Sequence, residues 1–180
     1  MEIIKNVIPS TEFNITIVEL DVDKGEAPLK EISDANADDD AVIYMTHGSV
    51  EDQNKIVLPL YGVATDNNFI NIDKKDVRRM FDTSGYCYMA IGVGTKEKDY
   101  SDGIEKATDD PLVKTYLQKG KDVIVSLTIP GDASLLMMDD AIGCVTEYAS
   151  EDSEIFVQVN NDATLKDEAI IAIIVIGIEE

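Results

Sequence analysis

Asn71, Asp73 and Asp76 stand close together in the stretch FINIDKKDVRRMFDTSG, Phe69 to Gly85, with Lys74 and Lys75 between the two carboxylates. Two acids and an amide at that spacing suit two kinds of chemistry. They can serve catalysis, since carboxylates can orient a water or hold a cation against it. They can also close the start of a helix. Asp73 as N-cap would accept from a free backbone N–H near Asp76, and Asp76 in the first turn would complement the positive helix end. Val77, Met80, Phe81 and Ser84 step by three and four, so the stretch predicts a polar turn leading directly into a helix. Lys74 and Lys75 read as solvated face residues or as partners for an acidic surface. Arg78 and Arg79 have Asp76 and Asp82 beside them for ordinary surface pairing.

Other reactive residues are isolated. His47, the single histidine, lies in a Thr46-His47-Gly48-Ser49 turn. A nucleophile needs its base and orienter assembled in space, which adjacency in sequence does not supply. Asp34, Asn36 and Asp38 imitate the opening of a calcium loop, but Asp39 stands where the glycine belongs and Met45 where the bidentate glutamate belongs. Cys87 and Cys144 sit singly in apolar surroundings, which favours buried small hydrophobes in a reducing compartment over a zinc site or a disulfide. No metal and no cofactor is expected.

The elements that would hold these residues read as a mixed α/β fold. Phe13–Leu20, Ala41–Met45 and Lys55–Tyr61 predict strands, the third an edge strand because of Pro59. Residues 25–40 predict an acidic loop with one helical turn near Leu29–Ser33. Tyr86–Gly94 predicts a buried strand, Lys98–Asp109 a helix stopped by Pro111, and Leu112–Leu117 a further turn. Asp122–Ile129 is rich in β-branched residues and predicts a strand, followed by a Pro130-Gly131-Asp132 turn. In Ser134–Ala149, Leu135, Met138, Ile142, Val145 and Ala149 form one apolar stripe of a helix. Ile155–Val159 and Ala169–Ile178 predict two last strands, the final one covered on both faces. The order from Asp73 on implies helices packed on one mixed sheet, preceded by a strand-rich first third.

The 180 residues carry 36 acidic against 15 basic side chains, a formal net charge of −21. That charge repels nucleic acid and anionic membrane surfaces. The apolar run Ala169–Ile178 is too short to span a bilayer as a helix, which takes ~20 residues. The N-terminal MEIIKNVIPSTEF lacks the basic and long apolar segments of a secretory signal, so a cytoplasmic protein is expected.

Several of these segments together resemble the C-terminal domain of the bacterial tubulin-like cell-division GTPase FtsZ. Asn71 to Val77, Asn-x-Asp-x-x-Asp-Val, looks like that family's synergy loop. GYCYMAIGVG at Gly85–Gly94, Asp110-Pro111-Leu112, VIVSLTIPGD at Val123–Asp132 and LKDEAIIAIIVIGI at Leu165–Ile178 follow in the family's order. The chain departs from the family in two ways. No glycine-rich phosphate loop precedes this region, Gly92-Val93-Gly94 being a lone GxG after a strand, and Lys74 and Lys75 replace the family's small or apolar residues.

The resemblance implies a two-layer sandwich, helices packed on a mixed four-stranded sheet, over residues 66–180, with the strand-rich region 1–65 covering or extending it. It also implies a protein that meets an FtsZ or tubulin-type partner, or another copy of itself, through Asn71, Asp73, Lys74, Lys75 and Asp76. In the family this loop enters the nucleotide site of the next subunit, and its aspartates help polarise the attacking water. By position, Asp73 and Asp76 would do so only in trans. The chain is therefore expected not to be an enzyme by itself but an interaction, assembly or regulatory module. Two alternatives are a GTPase-activating partner in trans and a homo-oligomer that reuses the fold to bind or convert a small molecule.

Overall fold

The computed structural model describes residues 5–9, 14–19, 41–46, 48–60, 68–82, 85–131, 134 and 136–179. Its centre is built from the two most apolar stretches of the sequence. Strand β6 (Asp122–Ile129) is buried at every position, and β8 (Glu168–Ile178) at every position but its first. Alternating residues of such strands enter two different cores, so helices must cover both sheet faces. The strands β1 (Lys5–Pro9), β2 (Asn14–Glu19), β3 (Ala41–Met45), β4 (Asn68–Ile70), β5 (Tyr86–Thr95) and β7 (Glu154–Asn161) complete one sheet. The order is β1-β2-β3-β5-β8-β6-β7-β4. Pairing is parallel for β2 with β3, β3 with β5 and β6 with β7, and antiparallel elsewhere.

The expected mixed α/β class is thus present, but the sheet has eight strands rather than four. Three of the four further strands, β1, β2 and β3, come from the first third of the chain, and β3 joins them to β5. The structure also has three layers rather than two. One core holds Val123, Val125, Leu127, Ile171 and Ile173 under helices α3 (Ser101–Thr108), α4 (Val113–Leu117) and α5 (Leu136–Tyr148). The other holds Ile43, Met89, Ile124, Ile170 and Ile174 under α1 (Val50–Leu60) and α2 (Lys74–Phe81). No helix among the described residues is long and apolar enough to cross a membrane.

Helix α1 overturns the strand expected at Lys55–Tyr61, of which residues 55–60 are helical. Its buried residues Gln53, Ile56, Val57 and Leu60 recur at three and four, the helical period. Ser49 starts it: its hydroxyl accepts from the Asp52 N–H at 3.1 Å and donates to the Asp52 carboxylate at 2.6 Å. Pro59 has no N–H for the carbonyl of Lys55, one turn back. The Thr128 hydroxyl, from β6, donates to that carbonyl at 3.4 Å instead.

On the opposite face α3 lies unusually close to β5, because Gly92, Gly94 and Gly103 meet backbone to backbone. A methyl group on Gly92 would overlap the Gly103 carbonyl and stand 2.7 Å from the Ala107 nitrogen, and one on Gly103 would stand 2.6 Å from the Gly94 nitrogen. Asp102 fastens the same junction. It accepts from the Thr95 N–H at 2.8 Å and pairs with Lys106 at 3.4 Å.

The Thr95 N–H, then the Lys106 ammonium, hold the Asp102 carboxyl below its ordinary range against the opposing effect of burial. A carboxyl depressed on folding stabilises the fold fully above its unfolded value of about 3.9, and that contribution is lost as pH falls through the lower folded value. Asp102→Asn is therefore expected to flatten the acid limb of stability below about pH 4. Thermal melts of both proteins between pH 6 and 2.5 check this: a variant curve parallel to the wild type across that window would contradict it. Asp122 works in the opposite sense, burial pushing its carboxyl up, and is untouched by the substitution.

Candidate functional site

The loop from Asn71 to Asp76 is held at both ends. On its N-terminal side β4 pairs with β7, Asn68 opposite Asn160 and Ile70 opposite Val159, with a register irregularity between them. Strand β4 ends the sheet, and its Phe69 side chain is 56% exposed. On the C-terminal side Val77, Met80 and Phe81 sink into the core and fix α2. Ile72 packs against the same core, and it and Val77 occupy the two positions of a hydrophobic staple, which fixes the chain's angle of entry into a helix.

Asp73 is the N-cap of α2, with extended backbone (φ −61°, ψ 136°). Its Oδ1 accepts from the Lys75 N–H at 2.7 Å, and its carbonyl accepts from the Val77 N–H at 3.0 Å. The expected cap is present, one residue nearer than the N–H of Asp76. Asn71, Asp73, Lys74 and Lys75 are exposed and Asp76 is half-buried. The structure thus brings all five residues to one helix mouth, four of them open to solvent.

Asp73→Ala removes the cap and should cost about 1 kcal/mol of stability, the ordinary worth of an N-cap carboxylate. Urea unfolding would show a lower midpoint at unchanged slope, and a loss near zero would mean the carboxylate is not holding the helix.

Arg79 is not part of an open cationic surface. Its guanidinium lies 3.4 Å from Glu154, 4.0 Å from Asp122 and 6.0 Å from the centre of the Phe156 ring. It fastens the end of α2 to the starts of β6 and β7, where local pairing with Asp76 and Asp82 had been expected.

The remaining candidates fall away from this loop. Ser49 caps α1, while His47 lies outside the described residues, as do Asp34, Asn36, Asp38 and Asp39 of the calcium-like segment. Cys87 is buried on β5, and burial pushes its thiol up to about 12, where it is inert as a nucleophile. Cys144 is a free, half-buried thiol on α5. Gly92-Val93-Gly94 lies within β5, paired with residues 169–171 of β8 and pressed against α3, so its N–H groups do not form a turn around an anion.

A second polar cluster leaves almost no trace in the sequence. Asp110, 3% exposed, accepts from the Thr46 hydroxyl at 2.5 Å, the Tyr88 hydroxyl at 2.7 Å, and the Leu112 and Val113 N–H groups at 3.0 and 3.2 Å. It ties the end of β3, the middle of β5 and the start of α4 together. Burial and the neighbouring Asp110 push the Tyr88 phenol far above its ordinary value, so it stays a donor. Only the Asp110-Pro111 step hinted at it.

Comparison with known proteins bears on β5 through β8. The family described as FtsZ family, C-terminal domain, matches residues 85–179, just over half of the chain. The matched segment begins after the loop and α2. Among solved structures, an empty FtsZ dimer from M. jannaschii superposes with a TM-score of 0.63 at 15% identity, covering 83% of this chain and 48% of that one. A tryptophan-to-tyrosine mutant of FtsZ from M. jannaschii gives the same score and identity, with 83% and 50% covered. At that identity the likeness is one of fold, and the chain spans about half the length of the FtsZ chains it matches.

Proposed function

Given that the chain belongs to the FtsZ family through its C-terminal domain, we propose that it is a protein-interaction module that docks on an FtsZ or tubulin-type GTPase through Asn71, Asp73, Lys74, Lys75 and Asp76. The observation that carries this is the presentation of the loop. Asn71, Asp73, Lys74 and Lys75 are exposed at a capped helix start that follows the exposed Phe69, an apolar side chain close in sequence to polar ones, a mixture that interfaces commonly use. The cap uses Oδ1 of Asp73, and Asp73 and Asn71 are both exposed.

In this role the module itself turns over no nucleotide. The lone GxG is consumed in packing α3 on β5, and the loop would act by occupying a partner's surface.

An FtsZ-type GTPase titrated with the protein tests this. An equimolar amount is expected to change pelletable polymer and GTP turnover by roughly twofold or more, and Asn71→Ala combined with Lys75→Glu should remove the effect while leaving the fold intact. The protein alone should release phosphate at background rate. Unchanged polymer and turnover, with no complex in sedimentation, would sink the proposal.

A further inference from the structure

We propose that Arg79, Asp122 and Glu154 form an ionic clamp on the far end of α2, and that the clamp slackens when Asp122 takes up a proton. The helix needs such a tie. Its eight residues are fewer than the ~12 at which an isolated helix is even marginal in water, so contacts with the rest of the fold fix its place. Val77, Met80 and Phe81 supply the apolar contact, the Asp73 cap closes the first turn, and Arg79 supplies a polar tie in the last.

Strand register creates the clamp. β6 and β7 run parallel with Asp122 opposite Glu154 at their first positions. Register partners on neighbouring strands stand about 5 Å apart and point to the same face. Two carboxylates are therefore side by side at the last turn of α2, an arrangement that like charge disfavours. Arg79 reaches both, 3.4 Å from Glu154 and 4.0 Å from Asp122. Arg79 and Glu154 are open to solvent, where an ion pair is worth little, whereas Asp122 is 4% exposed. Lys121, just ahead of β6 and paired with Glu179 at 2.6 Å, also acts on Asp122.

Burial pushes the Asp122 carboxyl up further than Arg79 and Lys121 pull it down, and Glu154 adds to the rise. It therefore takes up its proton above about 3.9, the ordinary value. A carboxyl raised on folding stabilises the fold fully below that value, and the contribution is lost as pH rises through the higher folded one. At neutral pH the charge that helps to hold Arg79 is thus costly to the fold, and mild acid removes the cost and the hold together. The loop stands at the other end of the same short helix, so a slackened clamp frees its pose. An effect on docking rests on the function proposed above; the clamp does not, and its test needs no partner.

Nuclear magnetic resonance of the full chain between pH 7 and 4, with no GTPase present, checks it. The Asp122 carboxyl carbon should titrate above its ordinary value. Amide protection in α2, corrected for the intrinsic exchange rate, should fall about fivefold through the same midpoint. Asp122→Asn should show the lower protection already at pH 7, with no step at that midpoint, while melting no lower than the wild type there. Arg79→Gln should lose the step as well, and its Asp122 should titrate higher still for want of the cation. An Asp122 midpoint at or below about 3.9, α2 protection that does not follow it, or an unchanged step in Asp122→Asn would overturn the proposal.

Discussion

Asp110→Ala is expected to lower the unfolding free energy by about 3 to 5 kcal/mol, a large part of the roughly 5 to 15 kcal/mol that holds a domain of ordinary stability. The side chain gathers hydroxyls from Thr46 and Tyr88 and two backbone N–H groups at the start of α4, with Asp110, Thr46 and Tyr88 all buried. Alanine leaves those donors without an acceptor, and an unmade hydrogen bond in a buried site costs about 1 to 3 kcal/mol for each group that water cannot reach. The groups are neighbours, so their costs do not simply add. Asp110→Asn keeps one acceptor oxygen, and the Thr46 hydroxyl can rotate to accept from the new amide, so its loss should be nearer 1 to 2 kcal/mol. Urea titration followed by far-ultraviolet circular dichroism gives both numbers. Equal losses for the two variants would mean that the volume of the side chain matters and its hydrogen bonds do not.

Gly92→Ala should cost about 3 kcal/mol through a different cause. The added methyl group meets the Gly103 carbonyl and the Ala107 nitrogen, backbone atoms of α3 that move only if the helix retreats from the sheet. Overfilling of this kind typically costs about 1 to 3 kcal/mol, and the backbone contact puts it at the upper end. Gly143→Ala is the matching control. It stands in a helix with nothing within 4 Å of the new carbon and should gain about 0.5 to 1 kcal/mol from helix propensity. A Gly92→Ala protein as stable as the wild type would show that α3 is not seated on β5 as described.

What could be read in advance follows from how far each interaction reaches along the chain. Strands β6 and β8 were legible because unbroken runs of β-branched residues have few other uses. Helix α5 was legible as a helix, but its buried face is Met137, Ala141 and Val145, so of the expected stripe only Val145 is buried, Met138, Ile142 and Ala149 are half-buried, and Leu135 lies outside the described residues. The Asp73 cap was legible because it joins residues two apart. Helix α1 was misread because Ile56, Val57 and Leu58 look like a strand in isolation. Its period appears only when Gln53 counts as an inward residue and Ser49 with Asp52 as a helix start. The short strands β1 and β4 gave no periodic signal. The Asp110 cluster joins residues 22 and 64 positions apart, and no local pattern can announce such a meeting.

The sheet itself has an order of assembly built into it. Strands β1, β2, β3 and β5 form one ribbon, β6, β7 and β4 another, and only β8 bridges them. As the chain leaves the ribosome, both ribbons can form while the strand that joins them is still inside. Until it emerges, β5 and β6 each present a bare, apolar edge. The nascent protein is therefore most exposed to mispairing just before synthesis of this region is complete, and a ribosome stalled ahead of residue 168 would carry two half-sheets in search of one strand.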